Sequence, residues 1–286
     1  MQAFLSSTDL YVGAPQRVGV GLPLNDGRVV SFGGVSFSFS FLGGPSPAAT
    51  PSSSPSGPSV AARYVPTPGT PAGGSEPRIT QPTQARGIYE ADGVTFDRPG
   101  YWRVTVTADV DGSTARAASA FAVLDAPSLP APGEPALRTE NLTMDSKDPA
   151  AAIDSRAVTS GEVPDPELHR WTIAGAIRAH RPVVVVFATP QYCQSEFCGP
   201  VTDTVDDLAR DYADRAVFIH VEIYHDYTTQ PQEINKAAAD WLLRHGDLTE
   251  PWLYLIGADG TILDRWSTVF DPGQVARELR DLPRMR

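Results

Sequence analysis

Both cysteines of this chain, Cys193 and Cys198, fall in one short stretch, FATPQYCQSEFCGPV, residues 187–201. Two thiols at this spacing can exchange with a substrate disulfide, clamp a soft metal ion, or close an inert bridge. Exchange requires a thiolate, a second thiol to resolve the mixed disulfide, and a surface that admits the substrate. Gly199-Pro200 marks a helix start directly after Cys198, because proline suits the first helical turn. The positive end of that helix draws a nearby thiol below its ordinary pKa of about 8.5. Position in the loop makes Cys193 the attacking thiol and Cys198 its resolving partner, whereas electrostatics alone would reverse the two. Glu196, between them, opposes thiolate formation by like-charge repulsion. A purely structural bridge is the weaker reading. Closing so short a loop gains less than the roughly 3 kcal/mol expected for a 15-residue loop.

Elements on either side must hold this loop in place. PVVVVFAT reads as a buried strand leading into it, and a helix over about 200–213 leads out, with Val201, Val205, Leu208 and Tyr212 on one face. Upstream, DPELHRWTIAGAIRAH opens with Asp165-Pro166 and spaces Leu168, Ile173 and Ile177 as a helix would. Downstream come a strand AVFIHVEIY, a helix over about 232–245, a hairpin PWLYLIGADGTILDRWS turning at Asp259-Gly260, and a last helix starting at Asp271-Pro272. Strands that alternate with helices predict parallel pairing, to which the closing hairpin adds antiparallel strands. Tyr192 and Trp252 flank the two halves of the site, as substrate-contacting aromatics or as core rings.

The first third is β-structure. In SFSFSF, Phe37, Phe39 and Phe41 share one face and the serines the other, the pattern of a half-buried antiparallel strand. Asp111-Gly112 is the turn of a hairpin, and several short strands at this spacing predict a β-sandwich. Residues 43–85, dense in Pro, Ser, Gly and Thr, read as a disordered insertion. The expected organisation is a sandwich over 1–125 with that insertion, a linker over 126–163, and an α/β domain over 164–286. Asn141 opens a formal NLT sequon, a pattern frequent by chance.

The order of elements from Pro166 onward resembles the thioredoxin-like superfamily. Three places carry the resemblance: RPVVVVFATPQYC, CGPV and EPWLYLIGADGTIL. It implies an α/β thioredoxin-like C-terminal domain, behind an all-β sandwich that resembles the immunoglobulin-like architecture. It further implies a cis Pro251 beside the sulfurs and thiol-disulfide oxidoreductase activity through Cys193 and Cys198, with Pro251, Tyr192 and Trp252 contacting substrate. The chain departs from the family in its Cys-x4-Cys spacing, in Val201 where the second cysteine would stand, and in Val186 before Phe187, where many members bury an acid. Copper-delivering members add a histidine just before the late hairpin. Here Thr249 and Glu250 are nearest that position, His245 lies upstream, and His220 and His225 sit in or after a strand. No metal ligand and no cofactor is assigned.

The net charge of -11 and pI near 4.8 argue against nucleic acid or an anionic membrane as partner. No apolar run is long enough to span a bilayer, and residues 1–13 lack the marks of a signal peptide. The expected partner is a protein thiol or disulfide. Two neighbouring cysteines with none elsewhere fit either a cytosolic redox motif or an extracytoplasmic protein that avoids stray thiols; the expected setting is extracytoplasmic, with any leader missing from this sequence. The rival expectation is a non-catalytic adaptor with a structural Cys193–Cys198 bridge, or a Cu(I)-binding chaperone.

Overall fold

The computed structural model describes residues 1–44, 59–71, 73–192, 197–229 and 231–285, in two compact units, Met1–Ser128 and Leu129–Arg286. The first contains β1 (Phe4–Leu5), β2 (Gln16–Gly21), β3 (Val29–Ser31), β4 (Gly34–Gly43), β5 (Val60–Pro66), β6 (Arg78–Thr80), β7 (Gly87–Val94), β8 (Gly100–Val110) and β9 (Ser113–Val123). Seven of these form one sheet in the order β1-β2-β7-β5-β4-β8-β9, and β3 pairs with β6. All pairs are antiparallel. Past β1 the chain runs beside the end of β9, where Val12 N–H donates to Leu124 O and Leu124 N–H to Leu10 O. The sheet is therefore barrel-like and nearly closed.

An immunoglobulin-like sandwich is thus corrected to one curled seven-stranded sheet with a separate β3/β6 pair. Period-two patterning shows that each strand buries one face, but not whether the strands divide into two sheets. Here β7 bridges β2 and β5 without a break. Register shifts at Gln16/Val18 and Phe41/Gly43 add the local bend and twist that let one sheet wrap. At the second shift the alternation lapses. Phe37 and Phe39 are buried, but Ser40 and Leu42 then bury as well, and Phe41 is only half-buried.

The insertion is also more structured than its composition implies. Residues 45–58 and 72 lie outside the described residues. The remainder supplies β5 and β6 and buries Ala62, Val65 and Ala85.

The second unit holds α1 (Ala150–Ile153), α2 (Ala157–Ser160), a 3-10 turn (Pro166–His169), α3 (Ile173–Arg178), β10 (Val183–Ala188), α4 (Cys198–Tyr212), β11 (Val217–Glu222), β12 (Tyr224–Asp226), β13 (Glu233–Ile234), α5 (Lys236–Leu242), β14 (Trp252–Ile256), β15 (Ile262–Ser267) and α6 (Pro272–Asp281). Its main sheet runs β11-β10-β14-β15. The β10/β11 pair is parallel, and the other two are antiparallel. Along β10 the side chains alternate between two cores. Val183, Val185 and Phe187 pack with residues of α3 and α5, and Val184, Val186 and Ala188 with residues of α4 and α6. Cover on both faces explains why the strand reads as an unbroken apolar run.

Residues 129–163, expected as a linker, belong to this unit. Leu129, Ala131, Asn141, Ile153, Asp154 and Ser155 are all buried. The helix expected across Leu168–Ile177 is split, because Thr172 is extended and caps α3, its side chain accepting from Gly175 N–H. Strand outweighs helix among the described residues, 36% to 19%, and α1 and α2 are single turns. The expected fold class, an α/β thioredoxin-like domain behind an immunoglobulin-like sandwich, is accordingly corrected to a mostly β chain with a barrel-like sheet and few helices. Helical spacing of apolar residues overstated the helices, since tertiary contacts decide which turns survive.

Candidate functional site

Strand β10 ends at Ala188, and the chain turns at once, with Tyr192 N–H donating to Thr189 O. Cys193 and Glu196 lie outside the described residues. Cys198 opens α4, is fully buried, and is disulfide-bonded. Thr202 Oγ1 donates to its carbonyl at 2.9 Å. The fifteen residues of α4 make a helix long enough for its N-terminal dipole to act on a sulfur at its first residue.

Beneath the 188–191 turn lies a buried polar cluster, of which the sequence signalled only the part in β11. Asp154, after α1, takes a paired grip from Arg156, whose Nε and NH2 reach its carboxylate at 2.7–3.2 Å. Arg156 also contacts Asp165 at 2.8 Å. His220 of β11 places Nδ1 3.1 Å from Asp154 Oδ2 and Nε2 3.1 Å from Ala188 O, the last carbonyl before the cysteine loop. Both contacts are to acceptors, so His220 can donate from both ring nitrogens. Glu222, two residues on along the same strand, accepts from Ser155 N–H at 2.8 Å and from Ile223 N–H at 2.9 Å. Ser155 Oγ in turn accepts from Gln191 N–H at 3.1 Å, so both ends of the 188–191 turn are tied to this cluster.

The charges follow from these contacts. Burial alone would push His220 down, but the charge and hydrogen bond of Asp154, with Glu222 nearby, raise it above the ordinary histidine range. Burial would raise Asp154, yet the charge of His220 and the approach of His169, His220 and Arg156 to its carboxylate hold it well below the usual carboxylate range. Burial pushes Glu222 up. His169, on the 3-10 turn, stands apart. It is fully buried, neither ring nitrogen has a hydrogen-bond partner among the described residues, and burial pushes its pKa down. Its Nε2 lies 3.4 Å from Asp154 Oδ2 without forming a hydrogen bond. An unsatisfied buried polar group costs about 1–3 kcal/mol.

Beside Tyr192 is an aromatic cleft of about 250 Å3. Tyr192 stacks on Tyr227 at 4.0 Å with rings 3° from parallel, and Tyr224 meets Tyr227 edge-on at 5.3 Å. The rim is polar, with His225 Nε2 3.0 Å from Asp148 Oδ1 and Nδ1 3.5 Å from Glu233 Oε1.

The remaining expected residues divide. Pro251 follows a cis Glu250–Pro251 bond and precedes Trp252, which pairs with Phe187 of β10. It therefore sits at the sheet end from which the cysteine loop departs. Trp252 is a core ring, 3% exposed, its Nε1–H donating to Thr249 Oγ1 and its face covered by Arg265. His245 is exposed in a turn.

The one sequence signal for the buried cluster was in β11, where His220 and Glu222 alternate with Ile219 and Val221 in an otherwise apolar strand. Asp154 gave none, being placed in an aperiodic segment. No family model matches the chain, and no curated protein and no solved structure matches it either. The thioredoxin-like and immunoglobulin-like resemblance, carried by three short stretches and a general architecture, is withdrawn with the fold class that it implied.

Proposed function

We propose that the chain is a thiol-disulfide exchange protein working through Cys193 and Cys198 outside the cytoplasm, with a protein thiol or disulfide as substrate. The supporting observation is the oxidised Cys198 at the first residue of α4, buried where the helix end stabilises a departing thiolate. A disulfide in the resting protein also suits an oxidising compartment.

In the oxidising direction, a substrate thiolate attacks Cys193 Sγ. The Cys193–Cys198 bond breaks, and its electron pair leaves on Cys198. A second substrate thiol, losing its proton to solvent, then attacks the substrate sulfur of the mixed disulfide and releases Cys193 as thiolate. The substrate loses two electrons and the protein gains them. The reverse sequence reduces a substrate disulfide. Burial of Cys198 favours Cys193 as the sulfur that meets the substrate, and the Tyr192/Tyr227 cleft beside the loop offers aromatic surface for an adjoining peptide.

Titration of the pair against glutathione buffers, with reduction of a model protein disulfide as assay, tests this reading. The expected potential lies between about -120 and -270 mV, with turnover abolished in Cys193→Ser and a trapped mixed disulfide in Cys198→Ser. A potential below about -300 mV without turnover refutes it and leaves a structural bridge.

A further inference from the structure

We infer that Asp154, His169 and His220 form a buried site for one divalent transition-metal ion of the zinc class. The ligand atoms converge. Asp154 Oδ2 is 3.1 Å from His220 Nδ1 and 3.4 Å from His169 Nε2, and all three lie within 4.8 Å of one another. A tetrahedron with metal–nitrogen and metal–oxygen bonds of about 2.0–2.1 Å has edges of about 3.3–3.4 Å, so the two separations from Asp154 suit donors around a shared ion. Two imidazoles and one carboxylate are the donor set that zinc accepts.

His169 is the independent observation. A protonated His220 between Asp154 and Ala188 O accounts for His220 and Asp154, but it leaves His169 fully buried, with neither ring nitrogen hydrogen-bonded among the described residues and Nε2 only 3.4 Å from Asp154 Oδ2. A cation between His169 and Asp154 gives one of those nitrogens its partner. The surroundings are those of a prepared site. His220 turns its other nitrogen to the Ala188 carbonyl at 3.1 Å, as metal-bound histidines do, and Arg156 fixes the orientation of the carboxylate.

All three ligands are buried, so the ion is structural. It pins the 3-10 turn and the segment after α1 onto β11, under the turn that leads to Cys193. The site is independent of the thiol chemistry proposed above.

The experiment uses the full oxidised chain, unfolded with chelator, refolded with and without Zn2+, and desalted. The expected result is about one zinc per chain, with a thermal midpoint raised by roughly 5–10 °C at saturating Zn2+. His169→Gln, which keeps a polar side chain of similar reach, is expected to refold and to lose the zinc, whereas His245→Ala retains it. Wild type that retains no zinc after refolding in its presence overturns the inference. So does zinc retained equally by His169→Gln, which puts the ion elsewhere, or zinc retention that disappears in Cys193→Ser, which assigns it to the thiols.

Discussion

The two units bury their interiors by different means. In Met1–Ser128 the centre is aromatic. Phe39 meets Phe37, Phe96 and Phe121 edge-on at 5.7–6.4 Å, and the buried Glu90 is paired at 3.0 Å with Arg63, itself 45% exposed. In Leu129–Arg286 two apolar cores flank the sheet, yet Asp154, His169, His220 and Glu222 are buried among them. Rings satisfy one another by contact alone, so the first unit loses little when a neighbour shifts slightly. Buried charges need every partner in place, because desolvation costs several kcal/mol per ion. The second unit therefore concentrates geometric precision under the cysteine loop, and the first spreads its stability over a sheet.

The largest test of this contrast removes the hub. Asp154→Ala strands Arg156 and His220 without their shared partner and is expected to cost about 3–5 kcal/mol, read as a fall in the urea midpoint. A loss under about 1 kcal/mol would mean that the cluster is loosely held, and the contrast between the units would fail.

Next in size is a backbone clash in the first unit. A Cβ on Gly87 would lie 2.3 Å from Val65 O and 2.7 Å from Tyr64 Cζ, at the β5/β7 pairing that joins the barrel-like sheet. Gly87→Ala is expected to cost about 1–3 kcal/mol through overpacking. A neutral result would show that this sheet yields more readily than its closure implies.

The cleft comes third and concerns rate. Tyr227→Ala removes the ring stacked on Tyr192 and is expected to lower kcat/KM for a protein disulfide by about 3- to 10-fold, the equivalent of roughly 0.5–1.5 kcal/mol for an aromatic pair, with kcat for a small-molecule disulfide unchanged. Equal loss on both substrates would place the ring in loop packing and not in substrate contact.

How much of this could be read in advance depends on whether the signal was local. The Val183–Ala188 run, the helix start at Gly199-Pro200, and the turns at Asp111-Gly112 and Asp259-Gly260 are local, and elements stand at those positions. Asp111 and Gly112 both adopt positive φ, as the turn demands. The closing of the N-terminal sheet was not local. It depends on Leu10–Val12 meeting Leu124, more than a hundred residues on, and no periodicity encodes that pairing. The candidate site divides in the same way. Cysteine spacing was visible at once, whereas Asp154 and His169 come together only because an apparently linking segment folds over β11. A polar, proline-bearing stretch looks the same whether it drifts in solvent or satisfies a buried histidine.

The smallest effect separates charge from burial within the second unit. Arg178 NH1 and Glu140 Oε1 lie 2.8 Å apart, as close as the pair between Arg156 and Asp154, but both side chains are 59% exposed. Water screens such a pair, so Arg178→Ala is expected to cost only about 0.2–1 kcal/mol and to lose even that at 1 M salt, where the Debye length is about 3 Å. The Arg178 hydrogen bond holds the Glu140 carboxyl below its ordinary value. The pair's contribution is therefore complete above the unfolded glutamate pKa of about 4.3 and is lost as pH falls through the lower folded value. Urea midpoints of wild type and Arg178→Ala should differ slightly at pH 7 and converge in acid. A difference that persisted in acid or in salt would mean that Arg178 acts by packing, and that the ionic contrast lies wholly in the buried cluster around Asp154.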